Sequence, residues 1–505
     1  MARSADQTRL IAYQRFGLGP RLGASVVGDL RSAVLDELAK PDLALVTPAE
    51  LSTAAQSKAV IGAGGIDNLP ALGGAAPAIT GTAMFAAHIA DEARVQAQRK
   101  DRKLAAQAAP QMVPGADAAP SMAASPVRPV LPEPPRPAEL FFRREVLARF
   151  NHAYAQPVGF VERLVQFWSN HFTVSIQKGL PLRALAGPFE REAIRPNVLG
   201  TFETMLLAVE RHQAMLIYLD NRGSIGPNSR AGQNGKRGLN ENLAREILEL
   251  HTLGVAGGYS QSDVTALARI LTGWTVAGAE GRLGAPGATV FNANAHEPGS
   301  HGLLGKVYAE DGGGQAEAAL RDLARHPSTA TFIATKLVRH FVADDPPKVL
   351  VARLEKVFRD TGGHLGAVSR ALIEAEEAWA APLTKLRGPY EFLVAAVRAT
   401  DRPPVEPGPV NASLNAMGQP LWGAQGPNGY SDSVATLAVP EAMKTRLEVA
   451  AAVARRVGGA LNPAELADSL YGGALSSETR QAISRAESKP QGLALLLMSP
   501  EFMRR

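Results

Sequence analysis

From residue 139 onward apolar side chains recur at intervals of three and four, and the spacing predicts one helix after another. Phe160, Leu164, Phe167, Trp168 and His171 fall at i, i+4, i+7, i+8 and i+11, which gives one helix an apolar, aromatic face with a histidine at its end. A helix over 240–253 starts at Asn240, a good N-cap, and stops at Gly254, a good left-handed terminator. Ser260-Gln261-Ser262-Asp263 reads as a capping box that opens a helix through Val264, Leu267, Leu271 and Trp274. Pro327 opens another, carrying Phe332, Lys336, Val338, His340 and Phe341. Further helices are predicted over 346–360, 364–379, 386–400, 439–457, 463–470, 477–487 and 490–498. Period-two strands are scarce and no fixed repeat occurs. The expected fold class is all-α, a large multi-helix domain.

Residues 8–40 predict a short segment ending at Phe16-Gly17-Leu18-Gly19-Pro20, then an amphipathic helix with Val27, Leu30, Val34 and Leu38 at helical spacing. Glycine and alanine dominate from about Thr53 to Thr80, and Gln107 to Pro137 is an Ala/Pro/Met mixture containing Pro132-Glu133-Pro134-Pro135-Arg136-Pro137. The latter cannot bury a core, so it is expected to be a low-complexity Ala/Pro-rich insertion, extended or disordered, with a charged helix over Ala83 to Ala106 leading into it. The expected division is an N-terminal helical segment over 1–52, a flexible Gly/Ala/Pro-rich region over 53–138 and a main helical domain over 139–505.

Composition narrows the chemistry. Of 505 residues 46% are hydrophobic, ample for a substantial core. The 53 basic and 48 acidic residues leave only +5, and the main local excess, Arg99 to Lys103 around Asp101, lacks the interleaved aromatics of a base-stacking surface. Nucleic acid is not an expected partner. The absence of cysteine excludes disulfides, thiolate metal sites, iron-sulfur clusters and a cysteine nucleophile. No stretch approaches about 18 uninterrupted apolar residues, and Met1 to Ser25 is broken by Arg3, Asp6, Arg9, Arg15 and Arg21. No membrane span is expected; the default compartment is the cytoplasm, with export left open.

The polar residues of 240–253 gather on a narrow stripe. At about 100° per residue, Asn242, Arg245, Glu246 and Glu249 fall within roughly a third of the circumference, while Leu243, Ile247, Leu250 and His251 face elsewhere. Carboxylates at i and i+3 stand roughly 5–6 Å apart at Cβ, which permits a shared metal or a division of acid and base roles. An ordinary surface ion pair between Arg245 and Glu249 explains the same residues, but Asn240-Glu241-Asn242 just upstream thickens the polar cluster. Asp220-Asn221 is either turn chemistry or a third carboxylate with an amide beside it. His171 is either a satisfied core histidine or a ligand; His251 points about 160° away from Glu249 and is set aside. His296 stands in a loop with Asn292, Asn294, Glu297 and Ser300, where binding groups are common. Lys336, Arg339 and His340 form a candidate anion site. The catalytic candidates are thus Glu246, Glu249, Asp220 and His296, and the binding candidates are Asn221, Asn240, Asn242, Arg245, Lys336, Arg339 and His340. A hard or borderline divalent metal would take Asp220, Glu246 and Glu249 with His171, or with His296 in its place. Serine-hydrolase and P-loop signatures are absent, and Gly312-Gly313-Gly314 reads as a flexible turn. Trp168, Trp274, Trp379, Trp422 and Tyr430 are core residues or the lining of a sugar-binding cleft.

Eight ordered segments carry a resemblance: Arg15 to Gly19, Phe167-Trp168-Ser169-Asn170-His171-Phe172, Met215 to Asn221, Asn240 to Gly254, Gly257-Gly258-Tyr259, Leu271-Thr272-Gly273-Trp274, Asn294 to Ser300, and Lys336-Leu337-Val338-Arg339-His340-Phe341. Together they resemble the bacterial family known as domain of unknown function 1800; the stretch from about 50 to 137 matches none of it. The resemblance implies a predominantly helical protein without a settled activity. It also implies a candidate partner, a sulfatase-like protein of the domain of unknown function 1501 family, whose genes commonly lie beside those of the first. Two functions therefore compete on sequence: a carboxylate- or metal-dependent hydrolase acting on a glycan or other polar polymer, and a non-catalytic helical scaffold or partner of the sulfatase-like protein.

Overall fold

The all-α expectation holds, with helix making up 64% of the structure and strand 4%. The structure, a computed structural model, describes residues 4–23, 29–46, 80–108, 135–234 and 238–505. Val27, the Gly/Ala-rich stretch before Thr80 and the Ala/Pro/Met stretch 109–134 lie outside the described residues.

In chain order the helices are α1 (Ala5–Ile11), α2 (Leu30–Leu38), α3 (Gly81–Ala108), α4 (Pro137–Ala155), α5 (Phe160–His171), α6 (Leu180–Phe189), α7 (Phe202–Arg211), α8 (Gln213–Tyr218), α9 (Asn242–Glu246) and α10 (Gln261–Leu271). Two antiparallel ribbons follow: β1 (Trp274–Val276) with β2 (Thr289–Phe291), Trp274 opposite Phe291, and β3 (His301–Leu303) with β4 (Lys306–Tyr308), His301 opposite Tyr308. The remaining helices are α11 (Gly313–Arg325), α12 (Pro327–Phe341), α13 (Lys348–Asp360), α14 (Leu365–Glu374), α15 (Glu376–Ala380), α16 (Pro389–Thr400) and α17 (Pro407–Ala416). After them come α18 (Val434–Leu437), α19 (Pro440–Val457), α20 (Pro463–Tyr471), α21 (Ser477–Ser484), α22 (Lys489–Leu497) and α23 (Pro500–Met503).

Caps explain most boundaries. Ser260 and Asp263 form the capping box at α10, although the helix stops at Leu271 and Trp274 begins a strand instead of extending it. The predicted helix over 240–253 is α9 followed by a π turn, Ile247–His251; it starts two residues later than expected, with Glu241 and not Asn240 as N-cap, although Asn240 Oδ1 accepts from Asn242 N at 2.9 Å. Gly254 terminates it at φ 83°, where an added Cβ would lie 2.8 Å from the Phe332 ring. The Gly312 run is not a flexible turn: Gly312 is the N-cap of α11, which starts at Gly313. Helix α17, with the poor helix-forming sequence Pro-Gly-Pro-Val-Asn-Ala-Ser-Leu-Asn-Ala, is imposed by packing, since it buries Val410 and Leu414.

A continuous apolar core runs from Ile11 to Met503, and α5 sits inside it with Phe160, Val161, Leu164 and Val165 at most 1% exposed. A helix so placed has nowhere to send its free N-terminal N–H groups, and its N-cap Gly159 has no side chain to offer. Glu37 of α2 answers this. Its buried carboxylate accepts from Val158 N and Gly159 N at 2.8 and 2.9 Å and from Phe160 N and Val161 N at 2.7 and 3.3 Å. Buried guanidiniums do the same for orphan carbonyls: Arg15 donates to Ala378, Ala381 and Pro382, and Arg398 to Gly19, Tyr154, Gln156 and Pro157. The Glu37 and Arg398 contacts fix the end of α4 and the start of α5 against α2 and the end of α16, and Arg15 fixes the end of α15.

Candidate functional site

On the 240–253 stripe the predicted faces are kept: Leu243, Ala244, Ile247, Leu248 and His251 are buried, Arg245, Glu246 and Glu249 are half-buried, and Asn242 is exposed. Arg245 bonds Glu241 and Gln261 and not Glu249. Burial raises the Glu246 carboxyl above its ordinary value, with His251 opposing and the like charge of Glu249 adding. Tyr218 beside it is pushed up to about 12 by burial and by the Glu246 charge. Asp220 occupies the left-handed turn after α8 (φ 61°) and pairs with Lys178 at 2.6 Å. Buried Asn221 donates to Leu271 O and Trp274 O, tying that turn to the end of α10.

The metal set is not brought together. Among the described residues no group of three or more His, Asp or Glu is placed to hold a metal ion. His171 shows why: its Nε2 lies 3.1 Å from His251 O and must donate there, so Nδ1 is the acceptor, and Lys336 Nζ donates to it at 2.9 Å. Both nitrogens are spent. Burial and the Lys336 charge hold the ring far below its ordinary pKa. His251 in turn sits 2.8 Å from Glu210, both wholly buried. His296 Nδ1 lies 2.8 Å from Thr272 O, and the neighbouring Glu297 accepts from Asn228 N, so this loop fastens the 226–232 loop to the end of α10. Arg339 is exposed and donates to Asp344 O. Lys336 and His340 share a face of α12, but Lys336 is engaged by His171 and His340 by Asp432 and Arg163.

His340 instead walls a chemically mixed cavity of about 130 Å³ between α5, α12, the start of α16 and the 419–432 loop. Helix α5 supplies Gln166, Ser169 and Asn170; α16 supplies Tyr390 and Glu391; the loop supplies Gln419, Trp422, Tyr430, Ser431 and Asp432. The loop is bolted to α5: Asn170 Nδ2 donates to Tyr430 O at 2.9 Å while Tyr430 N donates to Asn170 Oδ1 at 2.7 Å. Gly429 permits this approach, because at φ 73° an added Cβ would lie 2.5 Å from Asn170 O. Ile176 N donates to Trp422 O, and Trp422 Nε1 and Ser169 Oγ both donate to Glu190 Oε2. Trp422 itself is held at φ 50°, a strained backbone for an aromatic residue.

The charges in the pocket are compensated from behind. Glu391 pairs with Arg163 at 3.2 Å and Arg505 at 2.9 Å, and these two guanidiniums overcome the effect of burial and bring its carboxyl down to about 2. Burial alone would likewise raise Asp432, but the His340 hydrogen bond and the charges of Arg505 and Lys385 hold it well below the carboxylate range. An ionised Asp432 only accepts, so His340 Nδ1, 2.7 Å away, carries the proton, and Arg163 Nη2 donates to Nε2 at 3.2 Å. Burial and the Arg505 charge push this imidazole down to about 4. The pocket therefore presents two fixed anions whose positive partners are Arg505 in its wall and Arg163 and Lys385 behind it, together with the Arg149 guanidinium, three aromatic side chains, several hydroxyl and amide groups, and the buried Gln166 Nε2, which has no partner among the described residues. It offers acceptors and donors, but no protonated carboxyl at neutral pH.

The sequence as a whole matches the family described as Protein of unknown function (DUF1800) over residues 11–504. The chain belongs to the DUF1800 family. No curated protein and no solved structure matches it. Two segments that carry the DUF1800 resemblance, 167–172 and 336–341, meet at this pocket through Ser169, Asn170 and His340. Sequence reasoning named His340, Trp422 and Tyr430 but missed Gln166, Asn170, Glu391 and Asp432. Part of the site could have been found from the Gly/Pro-rich stretch 418–432, which carries Trp422, Tyr430 and Asp432.

Proposed function

We propose that this DUF1800 protein binds a neutral, hydroxyl-rich ring, such as one sugar unit of a glycan, between Trp422, Tyr430 and the carboxylates of Glu391 and Asp432. The observation that carries the reading is the pairing of compensated carboxylates with the Trp422 and Tyr430 rings and with an amide that has no partner among the described residues, in one small cavity. Sugar hydroxyls donate to fixed carboxylate oxygens, the ring packs on an aromatic face, and Gln166 Nε2 finds an acceptor. A charged ligand would upset the balance that Arg163, Arg505 and Lys385 already strike with the two anions.

The role is binding without chemistry at this pocket. Glycoside hydrolysis needs one carboxyl protonated as the acid, and both carboxyls here are held ionised. Neither a hydrolytic activity nor a sulfatase-like partner gains support from the comparisons. Titration with neutral hexoses and disaccharides, followed by tryptophan fluorescence and calorimetry, tests the proposal. Binding is expected to weaken about tenfold or more in Trp422→Ala and Gln166→Ala and to be unchanged in the double variant Glu246→Ala, Glu249→Ala. Binding lost in the Glu246/Glu249 variant and kept in the pocket variants would reverse the assignment.

A further inference from the structure

A second cavity, of about 140 Å³, lies on the other side of the α4 and α16 wall and has the opposite character. Its lining is apolar: Phe150 of α4, Leu393 and Val397 of α16, Val410 of α17, and Val449 and Val453 of α19. The Phe150 ring that closes its inner end packs edge-on against Tyr390 of the polar pocket, centroids 5.9 Å apart, so the two cavities share a wall. At the mouth stand the exposed guanidiniums of Arg402 and Arg456, which also border a shallow hollow with Asp401 and Pro403. Neither guanidinium has an ion-pair partner among the described residues, and no acidic side chain lines the slot. Asp401, the acid nearest the mouth, is already bound by Arg21 at 3.4 Å and by the Tyr154 hydroxyl. The site thus combines an apolar slot with a rim of two guanidiniums that make no ion pair among the described residues, Arg402 meeting only the partly screened charge of Asp401.

We propose that this slot binds an unbranched alkyl carboxylate, with its chain among α16, α17 and α19 and its carboxylate between Arg402 and Arg456. The chain removes apolar surface of Val397, Val410 and Val453 from water, and the guanidiniums supply the planar donors that a carboxylate accepts in pairs. A cationic amphiphile meets repulsion at the same rim, and a neutral one leaves both guanidiniums unused. This inference stands apart from the polar pocket and survives if the sugar reading fails.

Calorimetric titration of the full chain with hexanoate, octanoate and decanoate is the test, with octanol and octyltrimethylammonium as comparisons. Affinity is expected to rise about fourfold per added methylene until the slot is full. The double variant Arg402→Gln, Arg456→Gln should weaken octanoate tenfold or more and leave octanol unchanged. Val453→Phe, which fills the slot, should block both ligands; should it fail to fold, the exposed arginine pair still decides the matter. Equal affinity for octanoate, octanol and the ammonium, an arginine variant with unaltered octanoate binding, or no octanoate binding at millimolar concentration would overturn the proposal.

Discussion

Glu37 shows how much one buried side chain can carry. Four backbone N–H groups at the start of α5 end on its two oxygens, and no other side chain among the described residues caps that helix. Removing an acceptor from buried donors costs their desolvation as well as the bonds. Glu37→Ala is expected to lose about 3 kcal/mol in urea unfolding, far above the effect of removing an exposed cap. A loss below about 1 kcal/mol would mean that water or another group takes over these donors. The sequence places Glu37 on a helix with Val34 and Leu38 but carries no hint that a carboxylate there serves residues more than a hundred positions away. That blindness is general for residues such as Arg15, Arg163 and Arg398, whose partners include main-chain carbonyls far away in the sequence.

At the scale of elements, the 419–432 loop decides whether there is a pocket at all. Its reciprocal bonds with Asn170 require Gly429 to approach more closely than any side chain allows. Gly429→Ala is expected to leave helical circular dichroism unchanged, to lower the thermal midpoint, and to weaken sugar binding at least tenfold, because Trp422 and Asp432 move with the loop. Wild-type binding in that variant would detach the loop from function. The helices themselves were legible because their period and caps are local: α5, α12, α19 and α22 lie within a few residues of their predicted spans. Helices α6, α7, α11 and α17 were not among the predicted spans: α11 hid behind the Gly312 run read as a turn although the residues after it favour helix, whereas α17 owes its helix to burial of Val410 and Leu414. The 240–253 stripe was read correctly as a face, yet the π turn from Ile247 and the engagement of His171 by Lys336 and His251 keep its carboxylates from the histidine expected beside them.

The lowered histidines His340 and His171 make acid loosen the molecule, against a smaller opposing effect of the raised carboxyls of Glu145 and Glu246. His340 titrates at about 4 in the fold against 6.5 ordinarily, and His171 is lowered in the same direction. Between those values the unfolded chain binds protons that the folded chain refuses, so stability falls as pH drops from 6.5 towards 4, by about 3 kcal/mol for His340. Glu391, also depressed, adds its loss only as pH falls below the ordinary carboxylate range towards about 2. Urea midpoints measured from pH 7 to pH 4 should decline, and His340→Asn should flatten part of the slope; a midpoint rising with acid would contradict the assigned protonation states. The same long-range assembly makes the pocket hard to see in the sequence: residues 149–174, 340, 388–391, 419–432 and 505 become neighbours only once the core has formed.

The most direct test is a crystal structure of the protein grown with whichever neutral sugar the titration selects. The account predicts the ring against Trp422, with hydroxyls on Glu391 or Asp432 and an oxygen facing Gln166 Nε2. A sugar seated instead against Glu246 and Glu249, with the Trp422 pocket filled only by water, would contradict it.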